Sequence, residues 1–130
     1  MFVGVLRLTL FLPAPGSLKS KRHLVRSAID RVKAKFNVSI AEVAENDLWQ
    51  KSVIGVTAVG NDHAFVNETL DKVTDFIASM HGGQIQVTGR DVEIASYGDG
   101  IGEAGGRTLA EAEAEAERKY QANWEPEEDT

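Results

Sequence analysis

The sequence predicts an α+β fold whose elements follow the order β-α-β-β-α-β over residues 1–97. Three observations lead to this prediction. Residues 2–12 form an apolar-rich strand. Two later segments carry apolar residues at helical spacing, as amphipathic helices do. Between those segments lie two short strands, joined by residues typical of a turn.

The first strand, residues 2–12, has apolar side chains on both faces. One face carries leucine at positions 6, 8, 10 and 12, and the other carries Val3, Val5 and Phe11. Because a strand covered on both sides is apolar on both faces, this pattern predicts a central strand. Residues 13–16, with two prolines and a glycine, end it.

The first helix follows, with Ser17 as its predicted N-cap and Asn37 as its predicted C-cap. Its polar side carries Arg22, Arg26 and Lys33. The apolar residues follow the spacings i, i+3, i+4 and i+7, which predict a helix lying with one face on the core. They are Leu18, Val25, Ala28, Ile29, Val32 and Phe36.

Residues 38–44 and 49–59 predict two strands, and residues 45–48 predict the turn between them. Asn61 or Asp62 is the predicted cap of the second helix. The apolar stripe of that helix runs from Val66 to Met80, and two glycines end it. A last strand starts near residue 85, where a change of phase at Gly89 predicts a bulge or bend.

This order is the split βαβ, or ferredoxin-like, arrangement. It predicts a four-stranded antiparallel sheet of order 4-1-3-2 with both helices on one face. Val3, Val5 and Phe11 would then lie on the face without helices. Because an exposed apolar face commonly marks an interface, we expect a homodimer through this open face, or coverage of the face by the C-terminal tail.

A change of composition after Gly98 divides the chain into a ferredoxin-like domain of residues 1–97, a glycine-rich linker of residues 98–108 and a tail of residues 109–130. The tail is acidic, and its composition predicts a marginally helical or disordered segment. Residues 17–36 instead carry seven Lys or Arg and one Asp. These opposite charges suggest that the tail folds over the basic helix and competes with an anionic partner.

Several classes of function find no support in the sequence. The chain has no cysteine, and no apolar run approaches the about 20 residues of a membrane span. We therefore expect a cytoplasmic protein without membrane attachment. The sequence indicates no Ser-His-Asp set and no close pair of carboxylates for catalysis. The three histidines lack the spacing of metal ligands, and neither a metal nor a cofactor is predicted.

The first turn of the first helix has an unusual charge. Helix N-termini are partially positive, yet this turn carries three cations, which cost about 0.3–1 kcal/mol each at low salt. In the predicted topology it lies beside the turn between strands two and three. Together they form a candidate anion- or RNA-binding site comprising Ser17, Lys19, Lys21, Arg22, Arg26, Asp47, Trp49 and Gln50. Alternatively, Asp47 pairs with Arg22 or Lys19, and Trp49 fills the sheet edge.

The segments Ser-Leu-Lys-Ser-Lys-Arg at 17–22, Asn-Val-Ser at 37–39 and Asp-Leu-Trp-Gln-Lys at 47–51, leading into Ile-Gly-Val at 54–56, resemble the YlxP-like family. That family is also described as domain of unknown function 503. The resemblance covers residues 1 to about 97 and implies a small bacterial ferredoxin-like protein of unsettled function. Family members are often encoded beside translation and ribosome-maturation genes, which implies an association with RNA or the ribosome.

Three functions are therefore open. The first is a non-catalytic RNA- or ribosome-associated module that binds phosphates with the start of the first helix. The second is a small-anion binder or an enzyme like the acylphosphatases, which share this fold, with Arg22 holding phosphate near Asn46 or Gln50. The third is a protein–protein adaptor that uses the open sheet face.

Overall fold

A computed structural model describes residues 1–98 and 109–123 and confirms the predicted fold class. The chain divides after Ser96 into two units. Met1–Ser96 contains a sheet with strand order β2-β3-β1-β4 and antiparallel neighbours, as the sequence predicts. Its elements are β1 (Phe2–Phe11), α1 (Leu18–Lys35), β2 (Ser39–Ala44), β3 (Lys51–Gly60), α2 (His63–Ser79) and β4 (Gln86–Ser96), with a 3₁₀ turn at Met80–Gly83 before β4.

Local sequence explains where these helices begin and end. The Ser17 hydroxyl accepts a hydrogen bond from the Ser20 amide at 3.1 Å, so Ser17 is the predicted N-cap. Asp62 caps α2 in the same way, through the amide of Ala64 at 3.2 Å. The C-cap of α1 is Phe36, one residue before the predicted Asn37.

The core lies between one face of the sheet and the two helices. The leucines of β1, together with Leu12, are fully buried against apolar residues of both helices. Gly4 lets α2 approach closely, because a Cβ atom there would lie 2.6 Å from Val66 and 2.7 Å from Leu70. Both helices therefore pack on the same face, and their ends fix which side chains meet at each end of the sheet.

Two register shifts shape the edge strands. The pairing of β4 with β1 shifts register between Thr9 and Leu10 of β1, whose partners in β4 are Gly89 and Val87. This shift is the bulge predicted near Gly89. In β2, the register shifts between Glu42 and Ala44, so that Val43 is the extra residue. Such bulges bend a strand and redirect its side chains.

In the second unit, the structure describes α3 (Leu109–Asn123), in which Lys119 and Glu115 form the attractive pair expected from their spacing, at 3.2 Å. The predicted linker falls mostly at residues 99–108 and the acidic end at residues 124–130, both outside the described residues. The division into domain, linker and tail stays a prediction.

Candidate functional site

The start of α1 and the turn between β2 and β3 meet at one end of the sheet, as predicted. The Leu12 amide donates to the Gln50 carbonyl at 2.9 Å, and the Gln50 side-chain amide donates to the Pro13 carbonyl at 3.0 Å. Gln50 therefore fastens the loop before α1 to the end of the turn. Trp49 and Gln50 precede β3, which begins at Lys51, two residues later than predicted.

Lys21 lies in the interior, and this corrects the expectation that it faces an anionic partner. Its side chain is fully buried, and its Nζ lies 2.8 Å from Glu42 Oε2. The same ammonium donates to the carbonyls of Glu45 at 3.0 Å and Asn46 at 3.2 Å. An ammonium has three hydrogens, and three acceptors surround it, so Lys21 has no donor left for a ligand.

Glu42 and Ser52 complete this network, and the sequence analysis did not single them out. The Ser52 hydroxyl donates to Glu42 Oε2 at 2.5 Å, so that oxygen accepts from two strongly polar groups. Both residues lie on the core-facing side of the sheet, where their register partners are Ile54 and Leu10. A polar residue at a core-facing position in each of two adjacent strands was the signal that could have revealed the network.

The remaining cations of α1 lie on its surface. Lys19, Arg22, Arg26 and Lys33 are all exposed. Arg22 approaches Asp47 at 3.8 Å, and the two side chains are 54% and 95% exposed. This is the pairing that the alternative interpretation expected, but exposed pairs contribute only about 0–1 kcal/mol. Asp47 therefore leaves Arg22 accessible to an anionic ligand.

A groove of about 640 Å³ runs between α1 and the edge strand β2. Val25, Ile29 and Ile40 contribute its apolar lining. Its charged lining includes the cations Arg22, Arg26 and Lys33 and the acids Asp30, Glu42 and Asp47. Because Glu42 is engaged by Lys21, the accessible charge along the helix side of the groove is mainly positive.

Trp49 is 48% exposed, and the neighbouring Leu48 is exposed to the same extent. Trp49 therefore does not fill the sheet edge completely, and a large part of its surface is open to a ligand. Ser17 has the structural role of N-cap, and its hydroxyl also donates to the Ser20 hydroxyl at 3.1 Å. Seven of the eight predicted residues thus lie around the helix start and the turn, while Lys21 lies beneath them.

His81, in the 3₁₀ turn, has a buried Nε2 for which the described residues supply no hydrogen-bond partner. Burial, together with the charges of Arg31 and His23, lowers the pKa of His81. Within residues 1–98 and 109–123, no group of three or more His, Cys, Asp or Glu is placed to hold a metal ion.

Comparison with known proteins places these residues in a family. The model of the family described as "Protein of unknown function (DUF503)" matches residues 3–90. The chain belongs to this family. It is 41% identical, over 65 residues, to the uncharacterized protein YlxP of Bacillus subtilis (strain 168), and the match covers 50% of this chain and 71% of that protein. The resemblance found in the sequence is thus confirmed.

Solved structures with a similar course of the chain include the de novo designed protein Foldit4, with a TM-score of 0.45 and 13% identity, covering 75% of this chain and 99% of the designed one. A C-terminal segment of the alpha subunit of aIF2 from Pyrococcus abyssi gives a TM-score of 0.41 with 14% identity, covering 75% of this chain and 50% of that segment. In the part of the chain that the structure describes, no helix is long and apolar enough to cross a membrane.

Proposed function

We propose that this DUF503 protein is a non-catalytic RNA-binding module of the cytoplasm, with ribosomal RNA as the ligand class. The observation that carries the proposal is the row of exposed cations along α1. Apart from Lys21, which is buried and paired with Glu42, α1 has six exposed Lys or Arg residues and a single acidic residue, Asp30. RNA is the abundant cytoplasmic ligand that combines repeated negative charge with bases able to stack.

The length of the cationic row supports a polymeric anion over a single phosphate. Lys19 and Lys33 are separated by about 21 Å along the helix axis, at about 1.5 Å per residue. Arg22 and Arg26 lie between them on the same side and border the groove. A ligand that contacts all four needs several phosphates, as a nucleic acid strand has.

Trp49 supports a single-stranded segment as the recognised form. Sequence-specific proteins bind unpaired RNA by stacking its bases on aromatic rings, whereas the bases of a duplex are already stacked. The exposed Trp49 belongs to the turn that carries Asp47, and Asp47 lies 3.8 Å from Arg22. A single RNA strand that runs along the surface of α1 could place one unstacked base on the Trp49 ring.

The acylphosphatase-like alternative receives less support from this geometry. A phosphate-binding loop needs free backbone amides, and Pro13 and Pro15 supply none. The Gln50 side-chain amide donates to the Pro13 carbonyl, so it is already engaged by the protein. This contact and the two prolines favour binding of an extended anion on the surface over enclosure of one phosphate.

Charge reversal on α1 tests the proposal. Arg22→Glu combined with Arg26→Glu should weaken binding to a single-stranded ribosomal RNA fragment by tenfold or more, an order-of-magnitude expectation for two lost phosphate contacts. The salt dependence, as the slope of log affinity against log salt, should fall by about 1.4, since each contact with single strands contributes about 0.7. Fluorescence anisotropy at several salt concentrations measures both quantities.

The matched control is Lys72→Glu, which reverses an exposed cation on α2 that pairs with Glu68 and lies outside the groove bordered by Arg22 and Arg26. This control should keep the affinity and the slope of the unchanged protein, apart from the small effect of net charge. Equal losses in the control and the double variant, or no loss in either, would contradict a specific role for α1.

Trp49→Ala tests base stacking separately from charge. Loss of a stacking platform costs about 1–3 kcal/mol per base, which is roughly a fivefold to 150-fold loss of affinity. Because the substitution removes no charge, the salt slope should stay unchanged. Trp49→Phe should retain most of the affinity, and a Trp49→Ala protein that binds normally would show that this ring touches no base.

A further inference from the structure

The face of the sheet opposite the helices, which we call the open face, carries exposed valines. Val5, Val43 and Val59 are 47%, 57% and 58% exposed. Val5 and Val59 alternate with the buried residues of β1 and β3, and Val3 is the register partner of Val59. Three strands thus contribute apolar side chains to one continuous surface.

The bulge in β2 adds Val43 to this surface. A Cβ atom at Gly55 would lie 2.9 Å from Val43 Cγ1, so the Val43 side chain lies over Gly55. Gly55 is flanked in β3 by Ile54 and Val56, which both face the core. Because side chains alternate along a strand, position 55 belongs to the open face. The extra residue therefore projects from the open face, next to a groove of about 550 Å³ that includes Val5 and Thr57.

We propose that the open face binds a second copy of this chain, forming a two-fold symmetric dimer. The charges on the face balance within one chain: Arg7 lies opposite Asp91 in the register of β1 and β4, and Lys51 and Glu93 add one charge of each sign. In a two-fold interface the same surface meets itself, so a face without net charge meets its copy without net repulsion. A neutral, apolar surface fits a copy of itself better than it fits a strongly charged partner.

The size of the face agrees with this occupant. Its four strands cover roughly 600 Å² in projection, from a rise of about 3.4 Å per residue and a spacing of about 4.8 Å between strands. Side chains on a sheet present more accessible surface than this projection. Standard-size interfaces bury about 800 Å² per partner, so a dimer of this size would use the whole of the open face.

RNA is the less suitable occupant of this face. Sheets that bind RNA present aromatic rings on their central strands. The centre of this face instead has valines and Gly55, and the aromatic residue among its exposed large side chains, Phe11, lies at the end of β1. The open face and the basic face of α1 therefore recognise different partners on opposite sides of the sheet.

The oligomeric state of the full chain tests the proposal. Sedimentation velocity from micromolar to millimolar concentration should show a monomer–dimer equilibrium. Val43→Glu combined with Val59→Glu should raise the dimer dissociation constant by roughly a hundredfold or more, since it buries charges in an apolar contact. The matched control is Ala78→Glu, which alters an exposed residue on α2 and should leave the dimer unchanged.

A second measurement covers the case in which the double variant does not fold. Because the chain has no cysteine, Val43→Cys introduces a unique thiol on the proposed interface, at the β2 side of the open face. A short bis-maleimide should link two copies of this variant, and it should link far fewer copies of Ala78→Cys. A monomer at all concentrations overturns the proposal, and so does a dimer that is unaffected by the glutamates and links equally well through residue 78.

Discussion

Replacing Lys21 with methionine is expected to lower the free energy of unfolding by about 3–5 kcal/mol, because a buried charge loses its partner. The ammonium makes an ion pair with Glu42 and two further hydrogen bonds with the carbonyls of the turn. Methionine has a similar length but no donor. Glu42, whose side chain is only 16% exposed, would be left with Ser52 as its remaining side-chain partner.

Urea denaturation followed by circular dichroism measures this change. Lys19→Met is the matched control, because Lys19 lies in the same helical turn but is exposed, and exposed substitutions usually change stability by less than about 0.5 kcal/mol. Adding Glu42→Gln to Lys21→Met should recover part of the loss, since it removes the unpaired charge and keeps an acceptor for Ser52. A loss below about 1 kcal/mol in Lys21→Met would contradict the described network.

The same network connects stability to the candidate RNA site. Lys21 binds the carbonyls of Glu45 and Asn46, and Glu45 adopts a left-handed conformation with φ of 62°. Such a conformation is unfavourable for a residue other than glycine unless its surroundings hold it. Lys21 therefore supports the turn that carries Asp47 and Trp49, although it has no donor for the ligand itself.

The sequence was sufficient for the fold because several independent patterns agreed. Apolar residues alternate in β1, recur at helical spacing in α1 and α2, and stop at capping residues or glycines. Once these elements are assigned, few connections are possible, and the strand order follows from the usual packing of the split βαβ arrangement. Boundaries differed by one or two residues, as at Phe36 and Lys51, because the last turn of a helix or the first residue of a strand has a weak pattern.

The sequence analysis missed the burial of Lys21, although helical spacing places Lys21 on the core side of α1, four residues before Val25 and seven before Ala28. Lysine is rarely buried without a partner, so a lysine in the stripe does not by itself predict burial. The partner, Glu42, is distant in sequence, and only the packed sheet brings it to the helix. The roles of Lys19, Arg22, Arg26 and Trp49 in binding stay predictions, since their exposure makes them accessible without identifying the ligand.

Gly4→Ala is expected to destabilise the protein by about 2–3 kcal/mol, because the added methyl group has no room. A Cβ atom at this position would lie 2.6 Å from Val66 Cγ1 and 2.7 Å from Leu70 Cδ1. Both of these side chains are fully buried in α2, so neither can turn towards solvent. The helix would have to move away from β1, and the surrounding core would lose contacts.

Gly55→Ala separates this packing effect from the general effect of replacing a glycine in a strand. A Cβ atom at Gly55 would also be crowded, at 2.9 Å from Val43 Cγ1, but Val43 is 57% exposed and can turn aside. Alanine also restricts the unfolded chain, which stabilises by about 0.4–1 kcal/mol and offsets the cost of moving Val43. Urea denaturation at one fixed protein concentration should therefore show a change close to zero in the free energy of unfolding of Gly55→Ala.

Equal losses of stability in Gly4→Ala and Gly55→Ala would show that the cost comes from the strand backbone. A loss confined to Gly4→Ala would assign the cost to the close contact between α2 and β1.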